Sequence, residues 1–231
     1  MIIVITGTHK GIGYNIARYY IEKGHTVIGC SRHEADFEHE QYQHFIVDVR
    51  DEKQVDDFAK QVRKKYGKID ALINNAGVAA MNHFMMTPVD TARRLMEVNY
   101  LGSFTCIRAF VSMLKKSEHP RIVNFSTVAV PLYLEGEMAY SSSKAAVESM
   151  TKILAKELAC FHITLNAVGP TPIRTDLIAK VPEEKLNKIL ERQAIHRFGE
   201  IKDIINVINF YLNPESDFIT GQVIYLGGVY R

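Results

Sequence analysis

Short runs of β-branched residues alternate with longer amphipathic segments along the chain, and this alternation constrains the fold more than any other feature. Each run has four to six residues and favours a strand buried on both faces of a parallel sheet. The seven runs are Ile2–Thr6, Thr26–Cys30, Phe45–Val49, Ala71–Asn74, Arg121–Phe125, Ile163–Val168 and Gln222–Leu226. The pattern predicts an α/β fold, with residues 1–231 forming a single doubly wound domain whose seven-stranded parallel sheet is flanked by helices.

The connection between the second and third predicted strands differs from the others. Residues from His33 to His44 are rich in His, Glu, Gln and Asp and show no apolar stripe of helical period. We therefore expect the crossover helix here to be short or replaced by a surface loop.

Composition excludes several classes of protein. The formal net charge is +2 and no basic block occurs, which argues against nucleic acid or an anionic membrane surface as the main partner. No stretch approaches the roughly 18 unbroken apolar residues of a membrane span. Cys30, Cys106 and Cys160 are far apart in apolar stretches, so we expect core thiols in a reducing compartment, the cytoplasm.

A glycine-rich loop, Thr6–Gly13, joins the first predicted strand to the first predicted helix. Glycine at such a loop allows a tight turn, close approach of the backbone to a pyrophosphate, and close packing of the helix on the strand. The helix that follows directs its N-terminal N–H groups towards a phosphate. The spacing Gly-x-x-x-Gly-x-Gly without a following Gly-Lys-Ser/Thr is not that of a P-loop. The context therefore predicts a nucleotide-binding loop.

This spacing resembles that of the short-chain dehydrogenase/reductase family, in particular its members similar to 3-oxoacyl-[acyl-carrier-protein] reductase. Further landmarks follow in the family's order along the whole chain: Asp48-Val49, Asn74–Gly77, Asn99, Tyr140–Lys144, Asn166–Pro170, Arg197–Glu200 and Gly221-Gln222. The resemblance implies a Rossmann fold that binds a nicotinamide dinucleotide. The cofactor-binding residues that it implies are Gly7, His9, Lys10, Gly11, Ile12, Gly13, Ser31, Arg32, Asp48, Val49, Asn75, Ala76, Gly77, Tyr140, Lys144, Pro170, Ile173 and Thr175.

The end of the second strand indicates which dinucleotide is preferred. Ser31 stands where relatives that prefer NAD carry an acidic residue for the ribose hydroxyls. Arg32 offers a planar donor fork to a phosphate, and Lys10 is the second basic group that the family uses for the same phosphate. We expect NADP(H) to be preferred over NAD(H).

Tyr140 and Lys144 are four residues apart on a predicted helix, so their side chains lie on one face. The ammonium is expected to lower the pKa of the phenol and to hold the nicotinamide ribose. Tyr19 and Lys23 have the same spacing, but they lie in the first helix and are interpreted as structural. The Tyr140 pair follows the fifth strand, at the carboxyl edge of the sheet where ligands bind.

The family places a catalytic serine thirteen residues before its tyrosine, and that position is Thr127, with Ser126 as the alternative. Consecutive strand side chains point to opposite faces, so both cannot serve equally. Asn99 matches the asparagine that connects the family's proton relay, although an amide that only packs or caps a helix has the same sequence signature. Thr171 replaces the glycine usual after Pro170 and is expected either to tighten the nicotinamide pocket or to disfavour a positive φ there.

These residues predict a reversible NADPH-dependent carbonyl reductase of small organic substrates, with Tyr140, Lys144, Thr127 and Asn99 as catalytic residues and no metal. A catalytically weak NADP(H)-binding sensor or scaffold is the alternative. Sugar-nucleotide epimerases and enoyl reductases are disfavoured, the former by chain length and the latter by their wider tyrosine–lysine spacing. Glu135 and Glu137 could bind polyol hydroxyls, but solvated positions are the simpler interpretation. The resemblance also implies a homotetramer or homodimer formed through the helices of Asn99 and Tyr140.

Overall fold

Seven parallel strands form one sheet in the computed structural model, which describes residues 1–175, 178 and 181–229. The strand order is β3-β2-β1-β4-β5-β6-β7, so the chain reverses its direction of growth between β1 and β4. The strands are β1 (Ile2–Thr6), β2 (Thr26–Ser31), β3 (Tyr42–Ile46), β4 (Ala71–Asn74), β5 (Arg121–Phe125), β6 (Thr164–Gly169) and β7 (Val223–Tyr225). The predicted doubly wound α/β fold with a seven-stranded parallel sheet is confirmed.

Helices cover both faces of the sheet. They are α1 (Gly11–Glu22), α2 (Glu52–Tyr66), α3 (Val89–Met96), α4 (Gly102–Leu114), α5 (Ala129–Leu132), α6 (Met138–Glu157), α7 (Glu183–Glu191) and α8 (Ile201–Leu212). A π-helical turn, Glu97–Leu101, joins α3 to α4 without a break. No described helix is both long enough and apolar enough to cross a lipid bilayer.

Alternate side chains of the central strands enter two separate hydrophobic cores. Val4 of β1 packs in the core that contains Phe58 of α2 and Phe110 of α4. Its neighbours Ile3 and Ile5 point to the opposite face, into the core formed with α1 and α8. This alternation buries both faces of β1, as a parallel strand between two helical layers requires.

The third strand begins three residues earlier than the sequence predicted. Tyr42 pairs with Val27 and Ile46 with Ser31, so Asp48 and Val49 follow β3 and do not close it. The prediction was wrong because β3 is the edge strand and is only half-buried, whereas the apolar run beginning at Phe45 extends into the loop beyond it. Val47 and Val49 are buried after the strand has ended.

A loop without helix connects β2 to β3, as the sequence predicted. Phe37 of this loop stacks on Tyr42 with ring centroids 4.4 Å apart and meets Tyr14 of α1 edge-on at 5.2 Å. One aromatic side chain therefore packs on this face of the edge strand.

The three cysteines are all free thiols. Cys30 and Cys106 are buried as predicted, but Cys160 is exposed. That prediction was wrong because Cys160 lies in the short 3-10 turn Ala159–Phe161 that ends α6, outside the core.

Candidate active site

The glycine turn brings the start of α1 against the ends of β1 and β4. Gly7 has a φ of +77°, and its N–H donates to the carbonyl of Cys30 at 2.7 Å. A Cβ on Gly13 would lie 2.3 Å from the Gly7 carbonyl oxygen and 2.3 Å from Asn75 Nδ2. Only glycine therefore fits at position 13, and the first turn of α1 packs directly on the loop.

The end of β4 is tied to the same turn. Asn75 Nδ2 donates to the carbonyl oxygens of Thr6 at 2.9 Å and Gly7 at 3.1 Å, and the Ala76 N–H donates to Thr6 Oγ1 at 2.9 Å. These bonds fix the glycine turn at the topological switch point between β1 and β4, where ligands bind in sheets of this type.

One cavity of about 710 Å³ opens along this edge of the sheet, within the usual size range of small-molecule sites. All the site residues predicted from the sequence line this cavity, except Gly13 and Asn99. Ser126, the alternative to Thr127, lines it as well.

Lys10, Ser31 and Arg32 lie at one end of the cavity. Asp48 is also in the wall, but Arg50 holds its carboxylate through a two-pronged contact, with Nη2 to Oδ2 at 2.6 Å and Nε to Oδ1 at 3.0 Å. Hydrogen bonds from Arg50 are the main reason why the pKa of Asp48 is lowered, and the charge of Arg32 contributes. The Asp48 carboxylate is therefore neutralised, and this end of the cavity favours an anion.

Lys144 and Tyr140 project from α6 into the middle of the cavity. Lys144 is 5% exposed, and its Nζ donates to the carbonyl of Phe125 at 2.9 Å. Burial lowers the pKa of Lys144 to about 8. The Tyr140 phenol forms a side-chain hydrogen bond with Thr127.

The pKa of Tyr140 is raised, whereas the sequence predicted that its lysine would lower it. Burial is the largest cause and the negative charge of Glu137 is the second, while the hydrogen bond with Thr127 acts in the opposite direction. The prediction was wrong for the protein chain because burial disfavours the charged phenolate. The phenol is therefore held in its protonated form.

Thr127 and Ser126 point to different partners. The Ser126 hydroxyl donates to the carboxylate of Glu148, which is 2% exposed and also accepts from the Tyr225 hydroxyl at 2.6 Å. Thr127 Oγ1 accepts from the Ala129 N–H at 3.2 Å and bonds to Tyr140. The geometry therefore favours Thr127 as the partner of the tyrosine.

Asn99 lies behind the cavity wall, fully buried in the π-helical turn. Its Oδ1 accepts from the Val78 N–H at 2.9 Å, and its Nδ2 donates to the Val78 carbonyl and to Ser143 Oγ, both at 2.9 Å. A Cβ added to Gly77 would be 3.3 Å from Asn99 Oδ1 and 3.5 Å from Lys144 Nζ. Asn99 thus fixes the loop that separates it from Lys144.

The third wall follows β6 and contains Pro170, Thr171, Ile173 and Thr175. Thr171 is 6% exposed, and its hydroxyl has no hydrogen-bond partner among the described residues. Its Cγ2 approaches Gly199, where an added Cβ would be 2.7 Å away. Thr171 therefore brings a buried hydroxyl to the cavity wall.

Glu137 is a functional candidate that the sequence analysis named as a possible ligand of polyol hydroxyls but interpreted as solvated. It lines the cavity and its pKa is raised to about 7 because of burial, so the expectation of a solvated side chain was wrong. Its position three residues before Tyr140, on the same helical face, was the available signal. Glu135, in contrast, is exposed.

Much of the remaining cavity lining is apolar. Besides Lys185 of α7, the lining includes the apolar residues Val78, Ala79, Ala80, Met81, Val128, Ala129, Leu134, Ile178, Val181, Leu186 and Ile189. Within residues 1–175, 178 and 181–229, no group of three or more His, Cys, Asp or Glu side chains is arranged to hold a metal ion.

Comparison with known proteins gives consistent similarities over nearly the full length. A family model described as enoyl-(acyl carrier protein) reductase matches residues 7–229. The 3-oxoacyl-[acyl-carrier-protein] reductase of Thermotoga maritima is 33% identical, covering 98% of this chain and 96% of the relative. A 3α-hydroxysteroid dehydrogenase of Mediterraneibacter gnavus is 29% identical, covering 100% and 96%.

Two solved structures share the architecture. The aldohexose dehydrogenase of Thermoplasma acidophilum in ligand-free form superposes with a TM-score of 0.89 at 29% identity, covering 99% of this chain and 93% of that chain. A structure described as ElxO with NADP bound gives 0.87 at 28% identity, covering 97% and 96%.

Proposed function

The chain belongs to the short-chain dehydrogenase/reductase family, and we propose that it is an NADP(H)-dependent oxidoreductase that interconverts a carbonyl and a secondary alcohol of a small organic substrate. The observation that carries this proposal is the meeting of Tyr140, Thr127 and Lys144 in one cavity that continues to Lys10 and Arg32.

The residues of the cavity fit a nicotinamide dinucleotide. A Cβ at Gly11, which lines the cavity at the switch point with a φ of +66°, would face open space, and the buried Thr171 hydroxyl needs a partner. Residues 7–13 would hold the pyrophosphate, Asp48 and Val49 the adenine, Asn75–Gly77 and Lys144 the nicotinamide ribose, and Pro170, Ile173 and Thr175 the nicotinamide. When bound, the cofactor supplies or accepts a hydride.

Tyr140 acts as the proton donor in the reducing direction. Its raised pKa keeps the hydroxyl protonated, so the phenol can donate to the oxygen of a substrate carbonyl as negative charge develops there. In the absence of substrate the Thr127 hydroxyl bonds to the phenol, and with substrate bound its single proton is donated instead to the carbonyl oxygen. Lys144 returns a proton to the tyrosine, and Asn99 supports this step by keeping the loop at Val78 in place.

We propose that NADP(H) is preferred over NAD(H). Lys10 and Arg32 line the end of the cavity where the 2′-phosphate would lie, and Ser31 introduces no carboxylate there. Arg50 neutralises the nearest acidic group, Asp48. The NADP-bound structure of a protein with the same architecture supports this preference.

We also propose a homodimer or homotetramer in the cytoplasm. The helices that carry Asn99 and Tyr140 expose large apolar side chains: Leu101 is 47% exposed, Phe104 40% and Ile153 54%. Contact between copies through these helices would bury that surface. The three free thiols fit a reducing compartment.

The test is a panel of ketones, aldehydes and alcohols assayed by NADPH absorbance, with Tyr140→Phe as the matched blank. The wild type should turn over at least one class, while Tyr140→Phe should lose turnover and bind NADPH nearly unchanged. Tight binding of NADPH without turnover of any compound would instead support a sensor or scaffold. Equal turnover by both proteins would overturn the assigned role of Tyr140.

A further inference from the structure

Glu137 lies immediately before α6 and three residues before Tyr140. Both side chains line the same cavity. The charge of Glu137 reaches the phenol, because it is the second cause of the raised pKa of Tyr140. The carboxyl group is therefore a close neighbour of the reacting oxygen.

The Glu137 carboxyl group has no protein partner within residues 1–175, 178 and 181–229. It stands at the N-cap of α6 but makes no side-chain capping bond, and no described side chain forms a hydrogen bond or ion pair with it. Two apolar residues of the cavity lining lie beside this position: the Glu137 N–H donates to the carbonyl of Leu134 at 3.2 Å, and Met81 Cγ would be 3.4 Å from a Cβ added to Gly136. Its exposure is intermediate, so water can reach the carboxyl group when no ligand is bound, and a ligand that displaces this water must supply a hydrogen-bonding group in its place.

We propose, on the basis of the function proposed above, that Glu137 determines substrate specificity by binding a hydroxyl group within two carbons of the reacting carbonyl carbon. A hydroxyl can donate to the carboxylate and accept from the carboxylic acid, so it pairs with either form. Burial raises the pKa of Glu137 to about 7, so both forms occur near neutral pH.

This assignment also predicts which compounds are rejected. A plain ketone leaves the carboxyl group unpaired in an apolar pocket, which is the situation in which buried polar groups discriminate most strongly. An acid that carries a carboxylate beside its carbonyl is repelled by the negative charge of Glu137. Neutral hydroxy ketones and the matching diols are therefore the selected class.

The experiment compares 2-hydroxycyclohexanone with cyclohexanone in the wild type, Glu137→Leu and Glu137→Gln. Glu135→Leu is the matched control, because Glu135 is exposed and two residues away. The wild type should prefer the hydroxy ketone in kcat/KM by about 10- to 100-fold, the range expected for a hydrogen bond to a charged group. Glu137→Leu should bring the ratio close to one, Glu137→Gln should retain part of it, and Glu135→Leu should leave it unchanged.

NADPH binding and thermal unfolding show whether each variant is folded, and Glu137→Gln serves if the leucine variant is not. A ratio that is the same in the wild type and the folded Glu137 variants would overturn the inference and leave the reductase function standing. If the wild type binds NADPH but reduces neither these two ketones nor any compound of the substrate panel, both the role of Glu137 and the proposed reductase function are overturned.

Discussion

Thr127→Ala and Ser126→Ala should separate catalysis from stability, although the two residues are neighbours in the chain. Thr127 bonds to the reacting phenol, whereas Ser126 donates to the buried carboxylate of Glu148, about two turns after Tyr140 on α6. Removing the Thr127 hydroxyl deletes one donor aimed at the substrate oxygen, a loss that costs about 10²- to 10³-fold in kcat at comparable sites.

The Ser126→Ala variant, in contrast, should lose stability. Ser126→Ala leaves Glu148, which is 2% exposed, with the Tyr225 hydroxyl and one donor fewer. An unsatisfied buried acceptor costs about 1–3 kcal/mol, and each kcal/mol lowers Tm by about 2–4 °C in a chain of this length. Thr127→Ala, in contrast, loses only a 3.2 Å bond from the Ala129 N–H and the bond with Tyr140.

The assay is steady-state kcat in the NADPH-coupled reaction together with thermal unfolding of the same preparations. Thr127→Ser keeps the hydroxyl and should restore most of the turnover. The reasoning fails if Ser126→Ala loses more turnover than Thr127→Ala, or if the alanine at 127 lowers Tm more than the alanine at 126.

Three further changes test the other parts of the site. Arg32→Asp should invert the preference between NADPH and NADH, measured as the ratio of their KM values. Gly13→Ala should weaken NADPH binding and lower Tm, because its Cβ would lie 2.3 Å from the Gly7 carbonyl oxygen and the overpacking costs about 1–3 kcal/mol. Burial lowers the pKa of Lys144 from 10.5 to about 8, so its charge destabilises the folded chain below pH 8 and this penalty is lost as the pH rises towards 10.5. Lys144→Met should therefore abolish turnover and remove this penalty of about 3 kcal/mol at pH 7, against the loss of the hydrogen bond to the Phe125 carbonyl, so that its Tm relative to the wild type falls as the pH rises towards 10.5.

Each of these changes has a control or an opposing outcome. Unchanged relative KM values would refute the role of Arg32. Arg18→Ala, on the exposed side of α1, should leave NADPH binding intact where Gly13→Ala does not. A Tm difference between Lys144→Met and the wild type that stays constant from pH 7 to pH 10.5 would show that burial of the ammonium is not its cause.

The sequence predicted the central strands best. The bounds of β1, β4 and β5 agree with the prediction, because strands between two helical layers are apolar on both faces and this pattern is visible in the residues themselves. The edge strand β3 was misplaced by three residues, since its half-exposed side chains include Tyr42 and His44. The two side chains form a hydrogen bond of 2.7 Å, and the hydropathy pattern of a sequence does not reveal such a polar contact.

The sequence predicted which residues form the site, but not the pKa values of those residues or all of their hydrogen-bond partners. Motif positions identified Tyr140, Lys144 and Thr127, which meet in the cavity. The raised pKa of Tyr140 depends on burial by segments distant in the chain, and the partner of Ser126 is Glu148. Such pairings and the enclosure of Glu137 arise from tertiary packing, which local patterns do not encode.

In the β2–β3 connection, the length and charge of the segment are largely independent of the packing of the hydrophobic cores, unlike in a crossover helix. The other crossovers bury apolar stripes in the cores, whereas this loop packs mainly through Phe37 on the rim of the sheet. Residues 32–41 can therefore change in length and charge while the interior stays as it is. Recognition of the adenosine phosphate can drift in evolution, or be exchanged by grafting a relative's loop, provided that one aromatic anchor is retained.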